Sequence, residues 1–373
     1  MTLTAQMALA RARDATGLDD FGDPDFREGL ERVLDAIPRM PLLAPVREAV
    51  EAKIIGDLAT RLRIEAWHAA HPDTPPVEGM VLVCGLPRTG TTATVAMLAL
   101  DPRLRFLRGW EAQAPLPPPE DGREAADPRR LAALEAAKAY AMRAMHLNDP
   151  DGPEEDLALL AGLTMSSYNG HLPMPEDYLD WWIARDFTGH YRFLERVLRL
   201  LHASRGPRRW LLKSPPHLFK LDAFAARFPD ARYIWTHRDP ARVISSAASL
   251  QSHMQAERSR PGSIEPAERG RMLLDFWRQG MDRGLAARAR IGEARFIDVR
   301  NDDVVHQPVE SFERIYAHLG LPLDEGLRRR LVDYNARNTP GAFGAHRHEP
   351  ESFGLTHAEV RTAFADYVAR FGL

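Results

Sequence analysis

Residues 81–98 read VLVCGLPRTGTTATVAML. Together with Met80, the opening run MVLVCG is apolar without polar alternation, the pattern of a strand buried on both faces. It ends on Gly85, a second glycine follows at 90, Arg88 stands between them, and a helix is expected to start near Thr91. Strand, tight turn and helix are the expected order over 80–101. Backbone N–H groups in such a turn converge on one point and the positive end of the helix dipole reinforces them, so the turn suits an anion.

The phosphate-loop template is G-x-x-x-x-G-K-[ST]. Gly85 and Gly90 keep its spacing and Thr92 fills the last place, but Thr91 stands where the lysine belongs and the cation has moved to Arg88. Nucleotide triphosphatases and kinases use that lysine on the outer phosphates and the last hydroxyl on Mg²⁺. The loop is therefore built for an anion but poorly built for ordinary triphosphate chemistry.

Outward from this loop, short β-rich runs recur at 208–213 (RRWLLK), 231–238 (ARYIWTHR) and 294–300 (ARFIDVR), with a weaker one at 104–110 (LRFLRGW). Such runs separated by amphipathic helices predict an α/β fold, a central parallel sheet flanked by helices in three layers, here of the P-loop-like kind. Residues 1–77 read as a helical N-terminal extension: Val50, Ile54, Leu58 and Leu62 recur every fourth position, and HPDTPPVEG closes the segment. The main domain is then 78–373. Within it, residues 112–205 break the β/α rhythm with a proline run, an alanine-rich helix, the acidic NDPDGPEED and the aromatic YLDWW, and are read as a helical insertion or lid. The polar stretch 251–268 is expected to be a long mobile loop.

Composition narrows the class. The 373 residues carry 49 Lys and Arg against 52 Asp and Glu, a net charge of −3, which argues against a general nucleic-acid binder while leaving room for local basic patches. Cys84 is the single cysteine, so no intrachain disulfide forms, as suits a reducing compartment. The N-terminus has no basic leader before an apolar segment, and no apolar run reaches the length of a membrane span. A cytoplasmic protein without a transmembrane segment is expected; oligomeric state is not readable.

Two elements together carry a family resemblance. GLPRTGTT (85–92) resembles the 5′-phosphosulfate loop of sulfotransferases that use 3′-phosphoadenosine 5′-phosphosulfate (PAPS), in the arginine-bearing variant of tyrosylprotein and many bacterial enzymes. YIWTHRDPARVISSAASL resembles the family's 3′-phosphate element, a strand ending in arginine with a serine eight residues on, here Arg238 and Ser246. The stretches beginning RRWLLKSPPH and FIDVRNDD, and the ending ESFGLTHAEVRTAFADYVARFGL, are similar to the bacterial branch, so the resemblance spans about residues 78–373.

The resemblance implies transfer of the sulfonate from PAPS to a hydroxyl on a small or lipid-like acceptor, leaving adenosine 3′,5′-bisphosphate (PAP). Pro87, Arg88, Thr89, Gly90, Thr91 and Thr92 would hold the 5′ end of the donor. Arg238 and Ser246 would hold the 3′-phosphate, with Arg347 as a further candidate in the basic segment before FGL. Lys213, at the family's K-x-P strand end, would serve the leaving phosphate or the sulfonate alongside Arg88. Independently of the family, Arg88, Lys213 and Arg238 each lie at or just past a strand's carboxyl end, where ligands of parallel sheets sit; Glu111 does so if 104–110 is a strand.

The acceptor hydroxyl must lose a proton to a positioned base. Glu111 leads, because the tyrosylprotein branch has a glutamate at a comparable place, and Glu155 and His146 follow. No metal is expected, since no acidic cluster, HExxH or cysteine set is present, and HRHE at 346–349 lacks a third ligand. Tyr178, Trp181 and Trp182 form either an acceptor pocket or lid core. Competing readings are a small-molecule kinase with a degenerate loop and a nucleotide-binding module without turnover.

Overall fold

The computed structural model describes residues 2–120, 122–138, 149–165, 172–203, 208–338 and 348–373. Helices α1 (Ala5–Thr16), α2 (Phe26–Ala36) and α3 (Ala44–Ala70) precede β1 (Met80–Gly85), α4 (Thr91–Leu98), β2 (Leu104–Phe106) and α5 (Gly109–Gln113). The insertion supplies α6 (Pro128–Lys138), α7 (Asp156–Leu163), α8 (Glu176–Ala184) and α9 (Thr188–His202). Then come β3 (Arg209–Lys213), α10 (Leu221–Arg227), β4 (Arg232–His237), α11 (Pro240–Ala256), α12 (Pro266–Ile291), β5 (Phe296–Arg300) and α13 (Asn301–His306). Helices α14 (Pro308–Leu319), α15 (Glu325–Arg337), α16 (His357–Ala363) and α17 (Ala365–Phe371) close the chain.

The five strands make one parallel sheet in the order β2-β3-β1-β4-β5, with Val83 of β1 beside Lys213 and Ile234, and Gly85 beside Thr236. After β1 the chain runs to one side and then returns to β4 on the other, so the strand order reverses beside β1. In sheets of this kind the ligand crevice lies at the carboxyl ends of the strands beside such a reversal.

Alternate side chains of each strand enter different cores. Leu82, Cys84, Trp210, Leu212, Tyr233 and Trp235 belong to one; Val81, Val83, Leu211, Ile234 and Val299 belong to the other, with Val95 and Leu98 of α4 and Phe312 and Ile315 of α14. This is why the strand sequences read apolar throughout: both faces are covered. The first core continues without a break into α1–α3 and into α7, α8 and α9 of the insertion, so the N-terminal helices and the insertion form one helical body on that face.

Arg61 of α3 joins the two parts of that body. Its guanidinium is buried between the Phe26 and Phe193 rings and donates to the carbonyls of Phe21 (2.7 Å), Asp23 (2.8 Å) and Leu163 (3.1 Å). Burial pushes its pKa down to about 10.

Three sequence readings are refined. The segment 104–110 is a strand only to Phe106, after which α5 begins. The stretch 251–268 is not one loop: α11 runs to Ala256, and its polar residues Gln251 and Gln255 are buried because Arg269 of α12, itself buried, donates to both side chains (3.3 and 2.7 Å). Trp182 and Tyr178 are core, Trp182 packing on Phe187, Phe219 and Phe276, while Trp181 donates to Glu28 of α2 (2.8 Å). Among the described residues no helix is long and apolar enough to cross a membrane.

Arg61→Met keeps the apolar stem but removes three charge-assisted bonds. It is expected to cost about 3 kcal/mol, seen as a lower melting temperature in calorimetry.

Candidate active site

The loop after β1 takes its shape from two glycines. Gly85 has φ +141°, and a Cβ there would lie 2.5 Å from the carbonyl of Thr236; Gly90, in the left-handed region at φ +89°, would meet Asn301 Oδ1 at 2.3 Å. Only residues without a Cβ let β4 and the start of α13 approach so closely. Thr89 is buried and turned inward, its hydroxyl donating to the Leu86 carbonyl (2.6 Å) and sharing a hydrogen bond with Thr236 Oγ1 (2.6 Å). Thr91 is also buried; Thr92 faces solvent, and Pro87 is half-buried. The first α-helical bond of α4 is Thr94 N–H to the Gly90 carbonyl (2.9 Å), so the N–H groups of Thr91, Thr92 and Ala93 are left for a partner outside the helix.

Arg88 is the non-glycine residue of this loop with a positive φ, +64°. That conformation carries its side chain across to α11, where Nε donates to Ser246 Oγ (3.1 Å). From β4, Arg238 reaches back and donates through Nη1 to the Arg88 carbonyl (3.2 Å). Two distant guanidiniums and a buried serine therefore meet at the turn. Arg88 is open to solvent on one side, yet the protein packed around its guanidinium, and then the charge of Arg238, hold its pKa below the ordinary value. Arg238 is lowered by burial and by Arg242, against the opposing pull of Asp302 and Asp239. Asp239 does not pair with Arg238: it caps α11 through the Ala241 N–H (2.9 Å) and accepts from Arg361 (2.7 Å).

The C-terminal helices fix the end of β4. His237 contacts Tyr367 Oη through Nδ1 (3.2 Å) and Asp298 through Nε2 (2.8 Å), and stacks on Phe371. The Tyr367 hydroxyl hydrogen-bonds the Arg238 backbone. Although burial would raise it, hydrogen bonds from Arg288 and His237 hold the Asp298 carboxyl far below its usual range.

On the other side of the loop, Lys213 at the end of β3 places Nζ 2.8 Å from Glu155 Oε1 and 3.5 Å from Thr92 Oγ1. Ser214 donates to Glu155 Oε2 (3.1 Å). The lysine is buried, while the Glu155 side chain keeps 33% of its surface exposed. Glu155 sits at the N-cap of α7, so the insertion delivers a carboxylate directly to the sheet edge.

The structure does not treat Glu111 in the same way. It lies in α5, fully buried, with Oε1 2.6 Å from Arg105 Nη2 and Oε2 accepting from the Arg108 N–H (3.0 Å). Arg105 is equally buried and lies over the Trp210 ring. Both oxygens are thus committed to holding β2 and α5 together, whereas Glu155 faces the loop. His146 and Arg347 lie outside the described residues. His348, the residue after Arg347, shares a hydrogen bond with Ser245, next to Ser246 (2.9 Å).

Residues not singled out in the sequence also belong here. Ser214 and His217 follow Lys213 in the stretch KSPPH, and Asp156 follows Glu155; a serine and histidine crowded by two prolines after a strand were a signal for them. Asn301, packed against Gly90, had only its place past β5 to mark it.

With this geometry in view, the comparisons are direct. The sequence profile of the sulfotransferase family matches residues 81–325, and the chain belongs to that family. It is 27% identical over 278 residues to omega-hydroxy-beta-dihydromenaquinone-9 sulfotransferase Stf3 of Mycobacterium bovis and of Mycobacterium tuberculosis, a match covering 69% of this chain and 66% of theirs. The chain thus spans just under two thirds of the length of these curated relatives. The crystal structure of sulfotransferase STF9 from Mycobacterium avium aligns with a TM-score of 0.89 at 29% identity, over 99% of this chain and 97% of that one. That of sulfotransferase STF1 from M. tuberculosis H37Rv gives 0.84 at 30% identity, over 98% and 99%.

The two glutamates separate experimentally. Glu111→Ala strands Arg105 in the interior and is expected to cost about 3–5 kcal/mol in thermal or denaturant unfolding. Glu155→Ala removes a partly exposed carboxylate from the buried Lys213 and is expected to cost less than Glu111→Ala in the same measurement.

Proposed function

We propose that this protein transfers the sulfonate group of PAPS to a hydroxyl acceptor, with Glu155 as the base. The observation that carries the reading is the convergence of Arg88, Arg238 and Ser246 on one side of the loop with Lys213 and Glu155 on the other. Two guanidiniums held together with no ion-paired carboxylate among the described residues favour a dianion, and an arginine fork suits a phosphate. The 3′-phosphate of the donor would engage Arg238 and Ser246. The 5′-phosphosulfate would lie across the Gly85–Gly90 loop and the free N–H groups of α4.

In the transfer, the bond between sulfur and the bridging phosphate oxygen breaks as a bond from sulfur to the acceptor oxygen forms. The acceptor's proton passes to Glu155, and the negative charge left on the phosphate of PAP is met by Lys213 and by Arg88. Sulfonate carries less charge than a phosphoryl group, so positioned hydrogen-bond donors suffice for the chemistry. Lys213 couples the two events: at rest it is paired with Glu155, and when it turns to the leaving oxygen it frees that carboxylate for the acceptor proton.

The base is therefore assigned to Glu155, which is partly exposed beside the loop, in preference to Glu111, which is fully buried against Arg105. For the acceptor, the Stf3 relatives, named as omega-hydroxy-beta-dihydromenaquinone-9 sulfotransferases, support a hydroxylated isoprenoid quinone, received beside the helical insertion that brings Glu155 to the sheet edge. The remaining supports are the family itself and the retained lysine and carboxylate, which favour turnover over silent binding.

The test uses sulfur-labelled PAPS with a panel of acceptors: a hydroxylated menaquinone, a long-chain alcohol and 4-nitrophenol. Label is expected in at least one acceptor, and Glu155→Gln is expected to lower kcat by about 10²–10⁴-fold with PAP affinity unchanged. Full turnover in Glu155→Gln would move the base elsewhere. Absence of label from every acceptor, with retained PAP binding, would favour a binding module.

A further inference from the structure

Glu155 and Lys213 are joined twice. The exposed link is their own ion pair, with Ser214 added. One residue past Glu155 and four past Lys213 lies a second link, wholly buried: Asp156 Oδ2 is 2.9 Å from His217 Nε2, and His217 Nδ1 is 2.8 Å from the hydroxyl of Tyr191 on α9. Asp156, His217 and Tyr191 are each 0% exposed. The His217 ring also stacks on Tyr191 and meets the edge of Phe224, so it has little freedom to turn.

We propose that Asp156, His217 and Tyr191 are positioning residues for sulfonate transfer: their buried hydrogen-bonded chain fixes α7 against the Lys213 segment and so sets the reach of Glu155. This inference rests on Glu155 being the base.

The chain has a direction. Burial holds the Tyr191 hydroxyl well above its ordinary pKa, so it stays protonated and donates to Nδ1. With Nδ1 accepting from Tyr191, Nε2 of His217 is the nitrogen that donates to Asp156, the first residue of α7. Each bond thus has one donor and one acceptor, and reversing any of them would leave a buried polar group unmatched.

The geometry explains why two adjacent acids are needed. Glu155, at the N-cap, faces the loop; Asp156, starting the helix, faces the interior. The inner acid holds the backbone at a set distance from β3, and the outer acid is left to exchange its partner from Lys213 to a substrate proton. A loosened inner chain would leave donor binding untouched, because Arg88, Arg238 and Ser246 lie on other elements. It would lower the chemical step, for which a small displacement of a base is costly.

The experiment compares Tyr191→Phe, His217→Gln and His217→Ala, each also combined with Glu155→Gln, using the panel acceptor that wild type turns over fastest. Tyr191→Phe keeps the ring and is expected to fold normally; His217→Gln keeps an N–H for Asp156. kcat should fall about 3–10-fold in Tyr191→Phe and about 10–100-fold in His217→Ala, with partial rescue in His217→Gln. The Kd for PAP should stay within about twofold of wild type, and no further loss of kcat should appear in the Glu155→Gln background, the non-additivity expected of groups acting through one residue.

Unchanged kcat in Tyr191→Phe and His217→Gln, with Glu155→Gln inactive, overturns the positioning role alone. Additive losses in the double variants do the same, since the chain would then act independently of Glu155. Full turnover in Glu155→Gln instead removes the base assignment on which the role rests.

Discussion

The bond from Arg238 to the Arg88 carbonyl is the constraint on which the site depends. It ties the turn after the central strand to the end of its neighbour and leaves two like charges side by side. Such an arrangement is costly in an isolated protein and persists only where the surrounding structure enforces it. Here the enforcement is visible: Thr89 and Thr236 lock the base of the loop, Ser246 holds Arg88, and Tyr367 with His237 fixes the segment from which Arg238 projects. A site organised in this way has met the cost of arranging its donors before an anion arrives.

The second half of the site comes from a different part of the chain and is supported differently. The helix α7, which carries Glu155 at its N-cap, is bonded at one end through Asp156 to His217 and at the other through the Leu163 carbonyl, to which Arg61 donates. The N-terminal helices are thus linked to the sheet edge through a single helix. The residues proposed to hold the donor lie on the sheet, its following helices and the C-terminal segment; the proposed base lies on the insertion. This division lets acceptor contacts vary on the insertion while the donor grip stays on the sheet.

The loop and the strands were legible because their sequences satisfy a local rule. MVLVCG is buried on both faces, and the spacing of Gly85, Arg88, Gly90 and Thr92 belongs to one turn. Arg238 was marked by its place at a strand end and Ser246 by the family resemblance, eight residues on; the structure brings both to the turn. The carboxylate was harder. Glu111 and Glu155 are both acidic residues beside a helix start, and nothing local tells that Arg105, hidden in a strand, consumes the first. The same holds for Gln251 and Gln255, whose polarity suggested a loop until a buried arginine from another helix supplied the reason. Pairings between distant segments decide such cases, and they are absent from any short window of sequence.

The central claim is that this crevice grips an adenosine ligand at both charged ends. Calorimetry of PAP against 5′-AMP, which lacks the 3′-phosphate, measures that grip in wild type and in Arg238→Ala. Charge-assisted hydrogen bonds of this kind are each worth about 1.5–3 kcal/mol, so wild type is predicted to prefer PAP by at least about 10–100-fold. Arg238→Ala should lose most of that preference, weakening PAP by much more than 5′-AMP, which loses only the support that Arg238 gives the Arg88 carbonyl. Equal affinities in wild type, or an undiminished preference in the variant, would contradict the account.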